Sequence, residues 1–167
     1  TLTIIRHGES GYNQFTVEKL QSELYIEFQK KFEAEFAMAE DDKWVSPELE
    51  KITREIWKVT KLPYSDFDTL LTETGKWQAR ETGKKLNTLI ELPDIIYVSP
   101  YRRTMQTLEY IIEGWPELGK VPMTCEERVR EHEYGLASIY NDWRVYLTLN
   151  PIQALLYRQD GDYHYRY

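Results

Sequence analysis

Cysteine is almost absent: Cys125 is the single one in 167 residues. One thiol cannot build an internal disulfide framework, and the chain reads as a protein of a reducing, cytoplasmic compartment. Long apolar runs are missing as well. Ile95-Ile96-Tyr97-Val98 is typical of the longest, against the roughly 20 residues that a membrane span requires. No membrane helix is therefore expected, and Thr1 opens into a strand-like segment rather than a signal peptide. Histidine is scarce, limited to His7, His132 and His164. No histidine or cysteine stands at a metal-ligand spacing, so neither a metal nor another cofactor is expected. Positive charge is in deficit, with 21 Lys and Arg against 28 Asp and Glu. That balance lacks the basic footprint of a nucleic-acid binder. It leaves room for a small anion, because a few local arginines can hold a phosphate in an acidic protein.

What is present is enough apolar material, 41%, for the core of one domain. Residues 1–6 read as a short buried strand carrying Ile4 and Ile5. Over 16–40, Val17, Leu20, Leu24, Phe28, Phe32 and Phe36 recur at helical spacing. Ser46-Pro47 starts a second helix, which ends before Pro63. Thr72 is the expected N-cap of a helix running to about Ile90. Asp94 to Val98 is a second buried strand, Ser99-Pro100 leads into another helix, and Val121 to Thr124 is a weaker strand. Ile139 to about Arg158 is mostly helical, with a break near Pro151. The alternation of strand and helix predicts an α/β domain with a largely parallel sheet. The stretch 14–68 interrupts it with two helices and reads as an inserted helical cap. Its aromatic face (Phe28, Phe32, Phe36, Trp44, Trp57) is better suited to a core than to an interface, although a specificity role or a homodimer contact is open to it.

Three segments carry chemistry. The first is Arg6-His7-Gly8-Glu9-Ser10 with Asn13 beyond it. It lies at the carboxyl end of a predicted strand, where parallel sheets place their ligands. Arg6 offers a charged fork for phosphate or carboxylate, and Ser10 and Asn13 add short polar groups. A neutral His7 among such donors is competent as a nucleophile toward phosphorus. The second is Ser99-Pro100-Tyr101-Arg102-Arg103-Thr104-Met105-Gln106-Thr107, which follows a strand and opens a helix whose N-terminus favours anions. Arg102 or Arg103 would reach the sheet edge that carries His7. The third is Glu131-His132-Glu133-Tyr134-Gly135. A carboxyl group there can remain protonated beside a phosphate and serve as a general acid.

In this order the three segments resemble the histidine phosphatase superfamily, also called the phosphoglycerate mutase-like fold. The family's R-H-G-x-S with a downstream Asn matches Arg6, His7, Gly8, Ser10 and Asn13. Its L-T-x-x-G-x-x-Q-A matches Leu71, Thr72, Gly75, Gln78 and Ala79. Its S-P-x-x-R-x-x-Q-T matches Ser99, Pro100, Arg103, Gln106 and Thr107, and its E-x-x-x-G matches Glu131 and Gly135. The resemblance implies a three-layer α/β sandwich and a metal-independent phosphoryl transfer. His7 would become a phosphohistidine. Arg6, Ser10, Asn13 and Arg103 would bind the phosphoryl oxygens, and Glu131 would protonate the leaving oxygen. His7 should hold its tautomer by donating its second nitrogen's proton to a carbonyl.

The chain departs from the family in one respect. The family carries a second pocket histidine on a later apolar strand ending in H-G. Neither His132 nor His164 lies in such a setting. The single domain 1–167 is therefore expected to be C-terminally incomplete, with the native protein continuing past Tyr167; a complete chain with a degenerate site is the alternative. A phosphatase of small phosphomonoesters is the preferred function. The insertion offers no basic cluster, as a phosphoglycerate mutase holding a bisphosphate would need. A non-catalytic phospho-ligand binding module is the third reading.

Overall fold

The computed structural model describes residues 1–132 and 140–160. The element order is α1 (Gly11–Gln21), α2 (Glu23–Ala37), α3 (Pro47–Thr60), α4 (Glu73–Leu89), β1 (Ile96–Val98), α5 (Arg102–Gly114), β2 (Met123–Cys125), α6 (Trp143–Leu149) and α7 (Pro151–Asp160). The class is α/β, as the alternation of elements predicts. The chain divides into two compact units. One comprises Thr1–Thr16 and Tyr64–Glu131, the other Val17–Pro63 and the residues from His132 onward.

In the first unit β1 and β2 pair in parallel, with Ile96 opposite Met123, Tyr97 opposite Thr124 and Val98 opposite Cys125. A parallel pair cannot be closed by a tight turn. Here α5 and a 3₁₀ turn at Pro116–Lys120 make the crossover. Ala79, Ile111, Trp115, Leu118 and Val121 form the core between α4 and this crossover. The two helices approach closely because Gly83 has no side chain. A Cβ there would stand 2.1 Å from the Ile111 carbonyl oxygen.

The expected first strand is not formed. Among the described residues nothing pairs with residues 1–6 in a ladder, and Leu2 and Ile4 are 83% and 84% exposed. Strand propensity in Ile4 and Ile5 is not enough by itself, since a strand is completed by a neighbour's N–H and C=O groups. The expected helix over 16–40 is two helices. Ser22 adopts extended dihedrals and breaks the run between α1 and α2.

The second unit is built on aromatic packing. Tyr25, Phe28 and Phe32 of α2, Leu49 and Ile56 of α3, and Val145, Tyr146 and Leu147 of α6 share one buried cluster with Ala154. Phe36, Trp44 and Trp57 pack against it. The residues of the predicted insertion thus bury their apolar face against helices that follow residue 140. The Ser46 hydroxyl caps α3 by accepting from Leu49 N at 3.0 Å, and it donates to Glu35 Oε1 at 2.7 Å. The break near Pro151 is the α6–α7 junction at Asn150.

A buried ion pair ties this unit together. Lys19 Nζ lies 2.8 Å from Asp142 Oδ2, with both side chains nearly inaccessible. The Tyr25 hydroxyl donates to the same oxygen, and Asp142 Oδ1 caps α6 by accepting from Arg144 N at 2.9 Å. Removing one partner strands the other charge away from water. Asp142→Ala is expected to destabilise the second unit by about 3 kcal/mol. Urea denaturation followed by tryptophan fluorescence measures this, since Trp44, Trp57 and Trp143 all sit around the cluster. An unchanged midpoint would mean that the pair contributes nothing.

Candidate active site

The site lies within the first unit and is assembled on the loop between residues 5 and 10. Three neighbours hold that loop by its backbone. Gly8 N donates to Thr107 Oγ1 at 3.1 Å. Glu9 N donates to Gln78 Oε1 at 2.9 Å. An antiparallel bridge joins Ser10 to Leu71, with Gly11 N bonded to Leu70 O and Thr72 N to Glu9 O, each at 2.9 Å. Gln106 Oε1 in turn accepts from Leu71 N at 2.8 Å. The polar residues of the L-T-x-x-G-x-x-Q-A and S-P-x-x-R-x-x-Q-T segments, Thr72, Gln78, Gln106 and Thr107, therefore act largely on main chain.

The loop runs against the first turn of α4 with no room for side chains. A Cβ at Gly75 would stand 2.0 Å from Glu9 O, and one at Gly8 would stand 2.4 Å from Gly75 O. Thr72 caps α4 by accepting from Gly75 N at 3.0 Å, and its hydroxyl donates to the Glu9 carboxylate at 2.6 Å.

His7 is half buried. Its Nδ1 lies 2.7 Å from the Gly8 carbonyl oxygen. A carbonyl only accepts, so Nδ1 carries the proton and Nε2 keeps its lone pair. Nε2 has no protein partner among the described residues. Burial pushes the imidazole pKa below its ordinary value. The Gly8 bond opposes that, Arg103 and Arg6 lower it further, and the Glu131 charge raises it. The ring is thus held neutral and oriented, as a nucleophile must be.

Two adjoining cavities border it. One, of about 300 Å³, is lined by Arg6, His7, Glu9, Asn13 and Gln78. The other, of about 150 Å³, is lined by Ile5 to Gly8, Gln78, Ala79, Thr82, Thr107 and Ile111. Of the expected phosphate-binding residues, Arg6 and Asn13 reach the larger cavity. The Arg6 guanidinium forms no hydrogen bond to protein among the described residues.

Ser10 and Arg103 are placed differently. Ser10 is 1% exposed. It is the N-cap of α1 and forms a reciprocal box with Asn13. Its N–H and hydroxyl donate to Asn13 Oδ1 at 3.0 and 2.9 Å, and its Oγ accepts from Asn13 N at 3.3 Å. The spacing of Ser10 and Asn13, an N-cap with a polar partner three residues on, is the sequence signature of this box. With Oδ1 occupied, Asn13 presents its Nδ2 donors. Arg103 is 4% exposed and lines neither cavity. Its Nη1 donates to Asp66 O and Oδ1 at 2.8 and 2.9 Å, and the guanidinium lies over the Tyr101 ring. Its charge still reaches His7. Arg102 is solvent-facing, 3.9 Å from Asp68.

Glu131 and His132 are exposed. Glu133, Tyr134 and Gly135 of the acidic motif, and His164, lie outside the described residues. Among the described residues no three His, Cys, Asp or Glu side chains are grouped as metal ligands. No helix among them is long and apolar enough to cross a membrane. The residue that sequence reasoning did not place in the site is Gln78, which lines both cavities. Its signal was its place in the Leu71–Ala79 motif, six residues after the cap.

The model of the histidine phosphatase superfamily (branch 1) matches residues 54–145, more than half of the chain. A phosphoglycerate mutase-like protein of Arabidopsis thaliana is 35% identical over 90 residues, 48% of this chain and 32% of its own. A 2,3-bisphosphoglycerate-dependent phosphoglycerate mutase of Nitrobacter winogradskyi is 26% identical over 106 residues, 64% of this chain and 51% of its own. The chain spans about half or less of the length of these curated relatives. Among solved structures, one from Agrobacterium tumefaciens described as a phosphohistidine phosphatase of the SixA type aligns with a TM-score of 0.37 at 20% identity, covering 55% of this chain and 52% of that one.

Proposed function

The chain belongs to the histidine phosphatase superfamily, and on that premise we propose that it hydrolyses a small phosphomonoester through a phosphohistidine formed on His7. The observation that carries this reading is the fixed tautomer of His7 beside an unengaged arginine. Nε2 keeps its lone pair, and His7 and Arg6 line the same cavity. In the proposed reaction Nε2 attacks phosphorus in line as the ester P–O bond breaks. Arg6 and the Asn13 amide meet the phosphoryl oxygens and offset the charge that spreads over them. Glu131 gives a proton to the leaving alkoxide, then takes one from the water that attacks the phosphohistidine. Inorganic phosphate leaves and the neutral imidazole returns.

Incubating the protein with 3-phosphoglycerate tests the reading. Released phosphate supports hydrolysis. Conversion to 2-phosphoglycerate would make the protein a mutase, and binding without turnover would make it a phospho-ligand module.

A pH profile adds a second check. The attacking form is the neutral imidazole, and burial lowers the His7 pKa below 6.5. The acid limb of kcat/KM, which reports the free enzyme, is expected to fall below pH 6.5. In the complex the substrate dianion favours the imidazolium, so the acid limb of kcat should lie at higher pH than that of kcat/KM. A kcat/KM limb above pH 6.5 would contradict the buried, arginine-flanked setting.

A further inference from the structure

We infer that Gln78 is a direct anion-binding residue of this site, donating through its side-chain amide to a phosphoryl oxygen. The inference rests on the phosphate-site reading above and adds a ligand contact to it. An amide has two ends, and the chemistry of the loop settles which way this one faces. Glu9 N is a donor and cannot accept, so the atom 2.9 Å from it is Oε1. The remaining end is Nε2 with two N–H donors. It has no protein partner among the described residues.

Gln78 lines both cavities, and Arg6 and His7 are the residues that share both with it. Asn13 repeats the same arrangement. Its Oδ1 is occupied by Ser10, and its Nδ2 is left at the larger cavity. The one carboxylate on the wall, Glu9, is bonded to the Thr72 hydroxyl. The unspent groups around Nε2 of His7 are therefore donors: a guanidinium and two amides. Such a set is complementary to a group with several acceptor oxygens and one negative charge or more. Gln78 thus joins two tasks, pinning the loop through Oε1 and holding the ligand through Nε2.

The test uses inorganic phosphate as the probe. In a nitrogen-edited proton spectrum, the Gln78 NH₂ pair is identified by its loss in Gln78→Leu. Titration with phosphate is expected to shift this pair and the His7 ring signals along one saturation curve. Gln78→Leu should weaken phosphate binding about tenfold or more, as for a lost hydrogen bond to a charged group. Gln78→Glu, which keeps an acceptor for Glu9 N, should not restore binding, and the deficit should persist at high salt where through-space repulsion is screened. If phosphate shifts His7 but leaves the Gln78 NH₂ pair still, Gln78 is structural and this inference fails alone. If neither responds, the phosphate-site reading fails with it. Full phosphate affinity in Gln78→Glu at high salt would also overturn the inference.

Discussion

Replacing His7 by asparagine is expected to lower the hydrolysis of p-nitrophenyl phosphate by about 10⁴-fold or more, the scale seen when a covalent nucleophile is removed. Asparagine is the informative choice. Its short amide can keep a donor toward the Gly8 carbonyl, which His7 Nδ1 meets at 2.7 Å, while nothing remains in the place of Nε2. The loop should therefore persist and the chemistry should not. The wild-type chain quenched during turnover should carry a phosphoryl group that is labile in acid and stable in alkali, on the peptide containing Arg6 to Ser10. His132→Asn should leave turnover intact, since no step of the proposed reaction falls to His132. Undiminished hydrolysis in the His7 variant would remove the nucleophile assignment, whatever becomes of the fold.

The second large effect is expected at Gly75. Alanine in an α-helix ordinarily gains up to about 1 kcal/mol over glycine. At this position the added Cβ would stand 2.0 Å from Glu9 O and 2.8 Å from Glu9 N. Both are backbone atoms, which cannot rotate aside as the end of a side chain can. Overpacking of this kind costs about 1–3 kcal/mol, so Gly75→Ala is expected to be less stable than wild type by about 2 kcal/mol. The loop that must move also carries His7. A displacement of about 1 Å at a reacting group costs on the order of 10²-fold in rate. Stability and kcat should therefore fall together in Gly75→Ala. In Thr74→Ala, one residue earlier and exposed, neither should change much. A Gly75→Ala protein as stable and active as wild type would mean that the helix start and the loop are not in contact.

Several elements were legible from local chemistry alone. Ser46-Pro47 and Thr72 read as helix starts because a capping hydroxyl and the three residues after it are one local unit, and both caps are formed. The α/β alternation and the three motif segments were equally plain. Where the reading stopped short, the deciding partner was distant in sequence or the local signal was ambiguous. Ser10 and Asn13 read as phosphate ligands, yet their reciprocal bonds form a helix cap that buries Ser10 and engages only one end of Asn13. Arg103 sits in a phosphate-type motif, yet Asp66, 37 residues away, takes its guanidinium. Gln78 is matched as part of the L-T-x-x-G-x-x-Q-A segment without a role, and Glu9, 69 residues away, accounts for its oxygen.

The sequence by itself determined the class, the capped starts of α3 and α4, and the family, because these depend on propensity, capping and motif order within short windows. Only the tertiary structure decided which polar groups are spent on the protein and which are left for a ligand. It also decided that Ile4 and Ile5, strand formers by propensity, stand outside any ladder among the described residues. The physical reason is common to both. A hydrogen-bonding group has one set of lone pairs and protons, and its partner is chosen by what folding brings within 3 Å, not by its neighbours in the chain.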